Sequence, residues 1–145
     1  MVNVGGKKPT RRMAKARSIV VLGDKIMAHL KENELHTQKG PVFQTAILAG
    51  IMASKKTGEL IPLCHPLGLD NCDVHIHVND AQEVVIDCTA RITAKTGVEM
   101  EALTGATVAA LTIYDMCKAF SHDIRIKETK LMEKTGGKRD FKREE

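Results

Sequence analysis

A chain of 145 residues supports one domain and leaves too little for two. Its 22 Lys and Arg against 18 Asp and Glu give a net charge of +4, which suits an anionic small-molecule ligand and is weak for a dedicated DNA binder. Aromatic residues are only 3%, with no Trp, which argues against base stacking on a sheet surface, while 43% hydrophobic residues exclude wholesale disorder.

The opening MVNVGGKKPT is rich in Gly and Lys and is expected to be a loose arm over residues 1–10. Arg12 to Leu22 reads as a strand, broken by Gly23-Asp24. Asp24 is expected to cap a short helix through Leu30, on the spacing of Ile26, Met27 and Leu30. LHTQKGPV then makes a polar connection. Val42 to about Lys56 is predicted helical, closed by Gly58. In LIPLCHPLGL, prolines 62 and 66 forbid a regular helix and predict a fixed apolar loop. Residues 72–78 and 84–93 alternate apolar and polar and form a hairpin around NDAQE. Glu99 to Phe120 is a long helix and Ile124 to Lys134 a last strand. Residues 136–145 close the chain as a charged, flexible tail. The order predicts one domain, 1–145, of α+β class: a ferredoxin-like antiparallel four-stranded sheet with helices packed on one face.

Every apolar run is interrupted short of spanning length, so no transmembrane helix and no membrane partner are expected. The N-terminus lacks the apolar core of a signal peptide. Cys64, Cys72, Cys88 and Cys117 form no C-x-x-C pair, so free thiols in a reducing cytoplasm are expected, with Cys88 and Cys117 as small core residues.

The 99–120 helix carries most information. Thirteen uncharged residues, ALTGATVAALTIY, separate Glu101 from Asp115. Its larger side chains spread nearly all round the wheel, and a helix apolar on every side is buried on every side. One chain with a one-layer sheet cannot cover it, which predicts a homo-oligomer interface. Asp115 and Lys118, three apart, share one sector of this helix. Spacing alone leaves two readings even: an ion pair at an interface edge, or an acid–base pair whose pKa values are moved by low dielectric.

Other candidates are less specific. Glu99 and Glu101 open the helix as dipole partners, or as acceptors for the donor edge of a purine or pterin. His65 in its Pro-rich loop reads as structural before functional. His75 and His77 share a strand face with no evident third ligand, so no metal site is expected. Lys39, Lys134 and Arg12 are cations that a triphosphate would need to gather, and no P-loop is present.

The strings LIPLCHPL (60–67), KTGVEMEALTGATVAALTIYDMCKA (95–119) and EKTGGK (133–138) closely resemble the cyclic pyranopterin monophosphate synthase family of molybdenum cofactor biosynthesis. MVNVGGK with Thr10 and Arg12, and KGPVFQTAILAGIMASKKT (39–57), extend the likeness over nearly the whole chain. The resemblance implies a ferredoxin-like subunit in a homohexamer, a trimer of dimers with sites at the dimer interface. It implies a lyase that converts 3′,8-cyclo-7,8-dihydroguanosine 5′-triphosphate to cyclic pyranopterin monophosphate and pyrophosphate. By position in the motifs, Asp115 and Lys118 match the catalytic pair. Leu63, Cys64, His65, Glu99, Met100 and Glu101 match substrate-contacting residues, and Lys39, Lys134 and Arg12 match cations around the triphosphate. No redox cofactor is implied, and Mg2+ carried with the triphosphate is allowed. Asn3, where the family often has Asp, and the shortened GGKRDF depart from the pattern and touch only the terminal arms. The expected mechanism has Lys118 as general acid/base and Asp115 orienting it, with Glu99 and Glu101 on the ring edge. The rival readings are a non-enzymatic basic module binding nucleotides or RNA, which explains the charge but not the Asp/Lys pair, and a purely structural oligomer.

Overall fold

The computed structural model describes residues 1–144. In chain order the elements are β1 (Thr10–Val21), α1 (Asp24–Met27), β2 (His36–Thr37), β3 (Gly40–Pro41), α2 (Val42–Ser54), α3 (Thr57–Leu60), β4 (Asn71–Val78), β5 (Val84–Ala94), α4 (Glu99–Cys117), β6 (Arg125–Thr135) and β7 (Phe141–Lys142). The main sheet runs β4-β5-β1-β6-β7, every neighbouring pair antiparallel.

Alternation dictates the layering. Ala14, Ala16, Ser18 and Val20 of β1 are wholly buried on the face toward the helices, as are Val84, Ile86, Cys88 and Ala90 of β5. Small side chains on the central strand let α4 lie close, and its own inward residues, Ala102, Ala106, Ala109, Ala110 and Ile113, are wholly buried as well. α2 crosses α4 where both present glycine: a Cβ on Gly50 would stand 2.9 Å from the Gly105 carbonyl oxygen. No larger residue permits that approach.

Several expectations need correction. The sheet has five strands, not four, because part of the charged tail pairs with β6 as β7. The polar connection LHTQKGPV carries strand pairing that its sequence did not announce: β2 and β3 form a two-stranded ribbon, Thr37 opposite Gly40. The first helix stops at Met27 rather than Leu30, because His29 and Leu30 turn back to the carbonyls three residues earlier. Gly23, at φ 88°, rather than Asp24, takes the N-cap position. The long helix ends at Cys117, with Lys118 as its C-cap.

The sheet face away from the helices is not simply wet. Val85 and Asp87 are buried there, and Arg17 holds Asp87 through two hydrogen bonds, Nε to Oδ1 at 2.7 Å and Nη2 to Oδ2 at 3.0 Å. α4 is likewise buried on one side only. Leu111 is 57% exposed, on the same side as Thr107, Asp115 and Lys118. The chain leaves this strip of α4 bare. No helix among the described residues is long and apolar enough to cross a membrane.

Candidate active site

The candidate residues fall into two clusters at opposite ends of α4. The first lies at its C-terminal end. The β2–β3 ribbon turns through Gln38 and Lys39, with Gly40 at φ 111°, a conformation that favours glycine. The turn is pinned by the Lys39 amide donating to Thr37 Oγ1 at 3.1 Å. It delivers Lys39 Nζ to Asp115 Oδ2 at 2.7 Å, while Lys118 Nζ stands 3.2 Å from Asp115 Oδ1. One carboxylate is thus shared by two ammonium groups. A cleft of about 290 Å³ opens beside them, walled by Thr37, Gln38 and Phe120.

Within one chain this cluster is open to solvent. The side chains of Lys39, Asp115 and Lys118 are 56%, 50% and 61% exposed in the single chain. The Asp115 carboxyl titrates below its ordinary value. The Lys39 hydrogen bond is the chief cause, the Lys118 bond comes next, and burial opposes both only weakly.

The second cluster lies at the other end, around the first turn of α4. Here the loop 61–70 carries Leu63, Cys64 and His65 against Glu99, Met100 and Glu101, enclosing a cleft of about 360 Å³. Glu101 is 3% exposed, and burial raises its pKa, with Glu99 adding to the shift and a local backbone hydrogen bond opposing it. Burial, and secondarily Glu101, pushes up the Cys64 thiol. The N-terminal arm closes one side: the Val2 carbonyl lies 2.7 Å from His65 Nε2, and Val4 and Lys7 also line the cleft.

Arg12 and Lys134 are carried by the neighbouring strands β1 and β6. Arg12 Nε donates to the Ala94 carbonyl at 3.1 Å, at the close of β5, just before α4 begins. Lys134 stands opposite Ala14 and Phe141. The nearby Gly136, at φ 91°, packs so tightly on the Arg11 carbonyl that no side chain fits. So the three cations do not gather in one chain: Lys39 lies with Asp115 and Lys118, while Arg12 and Lys134 line neither that cleft nor the one beside Glu99 and Glu101. From Glu101 to Asp115 is fourteen residues of helix, about 21 Å at 1.5 Å per residue.

Residues 1–137 match the MoaC family. That match spans both clusters. The chain belongs to the MoaC family. Its curated relatives include the cyclic pyranopterin monophosphate synthase of Xanthomonas campestris pv. campestris (strain 8004), 54% identical over 97% of this chain and 86% of the relative. The molybdenum cofactor biosynthesis bifunctional protein of Synechocystis is 51% identical over 97% of this chain and 42% of its own length. Molybdenum cofactor biosynthesis protein 1 of Drosophila melanogaster is 49% identical over the whole chain and 26% of its own length.

Some residues that shape the first cluster escape the sequence reading. Pro41 takes the N-cap position of α2 and provides no side-chain cap. Glu34 substitutes for it from the preceding segment: Oε1 accepts from the Leu35 and Phe43 amides at 2.8 and 2.7 Å, and Oε2 from the Gln44 amide at 3.1 Å. The carboxylate thereby fixes the ribbon that carries Lys39 to the helix behind it. A Pro at a helix start with no neighbouring Ser, Thr or Asp was the available signal. Of the sheet-face histidines, His75 and His77 stack on each other at 5.7 Å between ring centroids. Among the described residues, no group of three His, Cys, Asp or Glu is placed to hold a metal ion.

Proposed function

We propose that this chain is a lyase of molybdenum cofactor biosynthesis, converting 3′,8-cyclo-7,8-dihydroguanosine 5′-triphosphate to cyclic pyranopterin monophosphate and pyrophosphate. MoaC membership at 54% identity to named synthases supports the activity. The observation that carries the chemical reading is the Asp115 carboxylate held between Lys39 and Lys118 beside an open cleft.

Lys118 is the general acid/base in this reading, and Asp115 orients it and exchanges protons with it. Lys39 holds the Asp115 carboxylate in place and adds positive charge toward a phosphate. Glu101 and Glu99 hold the donor edge of the guanine-derived ring, with His65, Met100 and the Leu63–Cys64 backbone around it. Arg12 and Lys134 neutralise the triphosphate and the departing pyrophosphate. Each step is a proton transfer or an addition–elimination, so no redox cofactor enters, and Mg2+ accompanies the triphosphate if the phosphates require it.

The separation of the clusters supports a composite site. A substrate that must meet both Lys118 and Glu101 is too short to bridge about 21 Å of helix. The bare strip of α4, with Leu111 between Thr107 and Asp115, supports a second copy as its cover. A C2 contact across that strip would bring the Lys118 end of one chain to the Glu101 end of its partner and exclude water from both. Three such dimers would give the homohexamer. The strand order β4-β5-β1-β6, with the long helix α2 between β1 and β4 and α4 between β5 and β6, supports a ferredoxin-like core to which β7 is added. Free thiols at all four cysteines support a reducing, cytoplasmic setting.

The test is direct. Purified protein given the cyclic dihydroguanosine triphosphate should release pyrophosphate, which neither a nucleotide-binding module nor a structural oligomer would do. Lys118→Ala should abolish turnover and keep measurable substrate binding. Near-normal turnover in that variant removes Lys118 from the mechanism.

A further inference from the structure

A pair of cysteines lies outside both clusters and is used by none of the chemistry above. Cys72 and Cys88 sit diagonally across the β4–β5 hairpin on its helix-facing side: Cys72 is opposite Ala90, and Cys88 is opposite Val74. Their sulfurs are 3.7 Å apart. Ser54, at the end of α2, closes the cluster, 3.4 Å from Cys72 Sγ and 3.7 Å from Cys88 Sγ. Its hydroxyl donates to the Glu101 carbonyl at 2.9 Å, so it faces the thiols as an acceptor. Gly105 is held to its small size here, since a Cβ would overlap Ser54 Oγ and Cys88 Sγ.

The two thiols differ in access. Cys88 is wholly buried. Cys72 is half-buried and lines a cleft of about 530 Å³, together with Lys55, Ile51 and Leu69. An accessible sulfur backed at 3.7 Å by a sealed one is the arrangement of an attacking thiol with its resolving partner.

We propose that Cys72 and Cys88 are a peroxide-reactive dithiol, a modification site that takes a hydroperoxide and closes to a disulfide. The Cys72 thiolate attacks the distal oxygen of the hydroperoxide. The O–O bond breaks, leaving Cys72 as the sulfenic acid and releasing the alcohol, or water from hydrogen peroxide. The Cys88 sulfur then attacks the Cys72 sulfur, and the hydroxyl leaves as water with the Cys88 proton. Two thiols and one hydroperoxide become one disulfide, one alcohol and one water.

Electrostatics favour this direction. The Cys88 S–H hydrogen bond stabilises the Cys72 thiolate and, outweighing partial burial, brings its pKa down to about 7, while Cys88 is pushed far up. The sulfurs must approach by about 1.7 Å to bond. Cys72 is on β4, an edge strand with a neighbour on one side only, so it is the free one to move.

Peptide mass mapping of the full-length protein after brief exposure to hydrogen peroxide tests this independently of turnover. We expect a Cys72–Cys88 peptide lighter by two hydrogens, restored by dithiothreitol. Cys72 should react about tenfold faster than Cys64, whose thiol is shifted the other way. Cys88→Ser should stop Cys72 at the sulfenic acid, trapped by dimedone, and Cys72→Ser should leave Cys88 reduced. Cys72 outpaced by Cys64, or wild-type Cys72 accumulating as sulfenic acid with no link to Cys88, overturns the proposal.

Discussion

Lys39 and Asp115 stand 76 residues apart in the chain and 2.7 Å apart in space. Lys118, on Asp115's own helix, is the more distant cation at 3.2 Å. The chief partner of the carboxylate is therefore a residue of a ribbon turn, and the helix provides the second. This ordering makes Lys39 the chief cause of the lowered Asp115 pKa.

Lys39→Met should raise the Asp115 pKa toward the ordinary carboxylate value. A carboxylate whose folded pKa is depressed adds stability above its unfolded pKa and loses it as pH falls through the folded value. The stability effect at so exposed a group is small. The titration itself is the clean readout, followed by carbon-13 NMR of the Asp115 carboxyl. Lys118→Met should move it less. Equal shifts, or none in Lys39→Met, contradict the ordering.

Composite sites predict complementation. Lys118→Ala and Glu101→Gln should each be inactive alone. Co-expressed and randomly assembled, they should regain roughly a quarter of wild-type turnover, because half the dimers are mixed and each mixed dimer has one intact site. If one chain supplied both groups, mixing would restore nothing. A flat zero across mixing ratios, with mixed oligomers verified by mass, ends the two-chain reading.

Glu34 gives a stability test away from the chemistry. Its carboxylate accepts three amide hydrogen bonds and replaces the missing cap at Pro41. Glu34→Ala should cost about 1–2 kcal/mol in urea unfolding. It should also loosen the turn bearing Lys39, lowering turnover several-fold. A loss under about 0.3 kcal/mol, within the scatter of ordinary surface changes, would show that solvent replaces the cap.

Packing at the helix crossing makes a sharper contrast. Gly105→Ala would drive its Cβ into Ser54 and Cys88 beneath α4, an overpacking worth about 1–3 kcal/mol. Gly68→Ala meets nothing within 4 Å and should be neutral or slightly stabilising. Similar denaturation midpoints for the two variants would mean that the α2–α4 crossing yields easily.

The main elements were legible because they obey simple periods. Alternation in 72–78 and 84–93 marks both hairpin strands, and the uncharged 102–114 stretch marks α4. Two-residue strands have no period, so β2, β3 and β7 left no trace in the pattern. In the candidate site, the helix places Asp115 beside Lys118 by spacing alone, and that was readable. The contact of Lys39 with Asp115 was not, since nothing local ties residues so distant. Nor was the separation of Arg12 and Lys134 from Lys39, because strand order decides it, and register is set by the whole sheet. Cys72 and Cys88 fall on one face of the hairpin by alternation. Their 3.7 Å approach depends on the diagonal offset between β4 and β5.

Glu101 joins function to a stability cost of known sign. It is nearly sealed from solvent, and burial raises its pKa above that of an unfolded glutamate. The folded state therefore holds its proton to a higher pH than the unfolded state does. Stability contributed by that difference is present at low pH and falls as pH rises from the unfolded pKa through the folded one. Glu101→Gln removes the ionisation and keeps the size, so it should raise the thermal midpoint near neutral pH. It should also flatten the midpoint's dependence on pH across the glutamate titration range. If Glu101 meets the ring edge as an ionised acceptor, the same variant should bind substrate poorly and turn over negligibly. Calorimetric scans from pH 4 to pH 8 on both proteins decide it. A Gln variant less stable than wild type at pH 7, with an unchanged slope, would mean that a partner compensates the buried carboxylate and that its raised pKa is no reservoir of strain at the site.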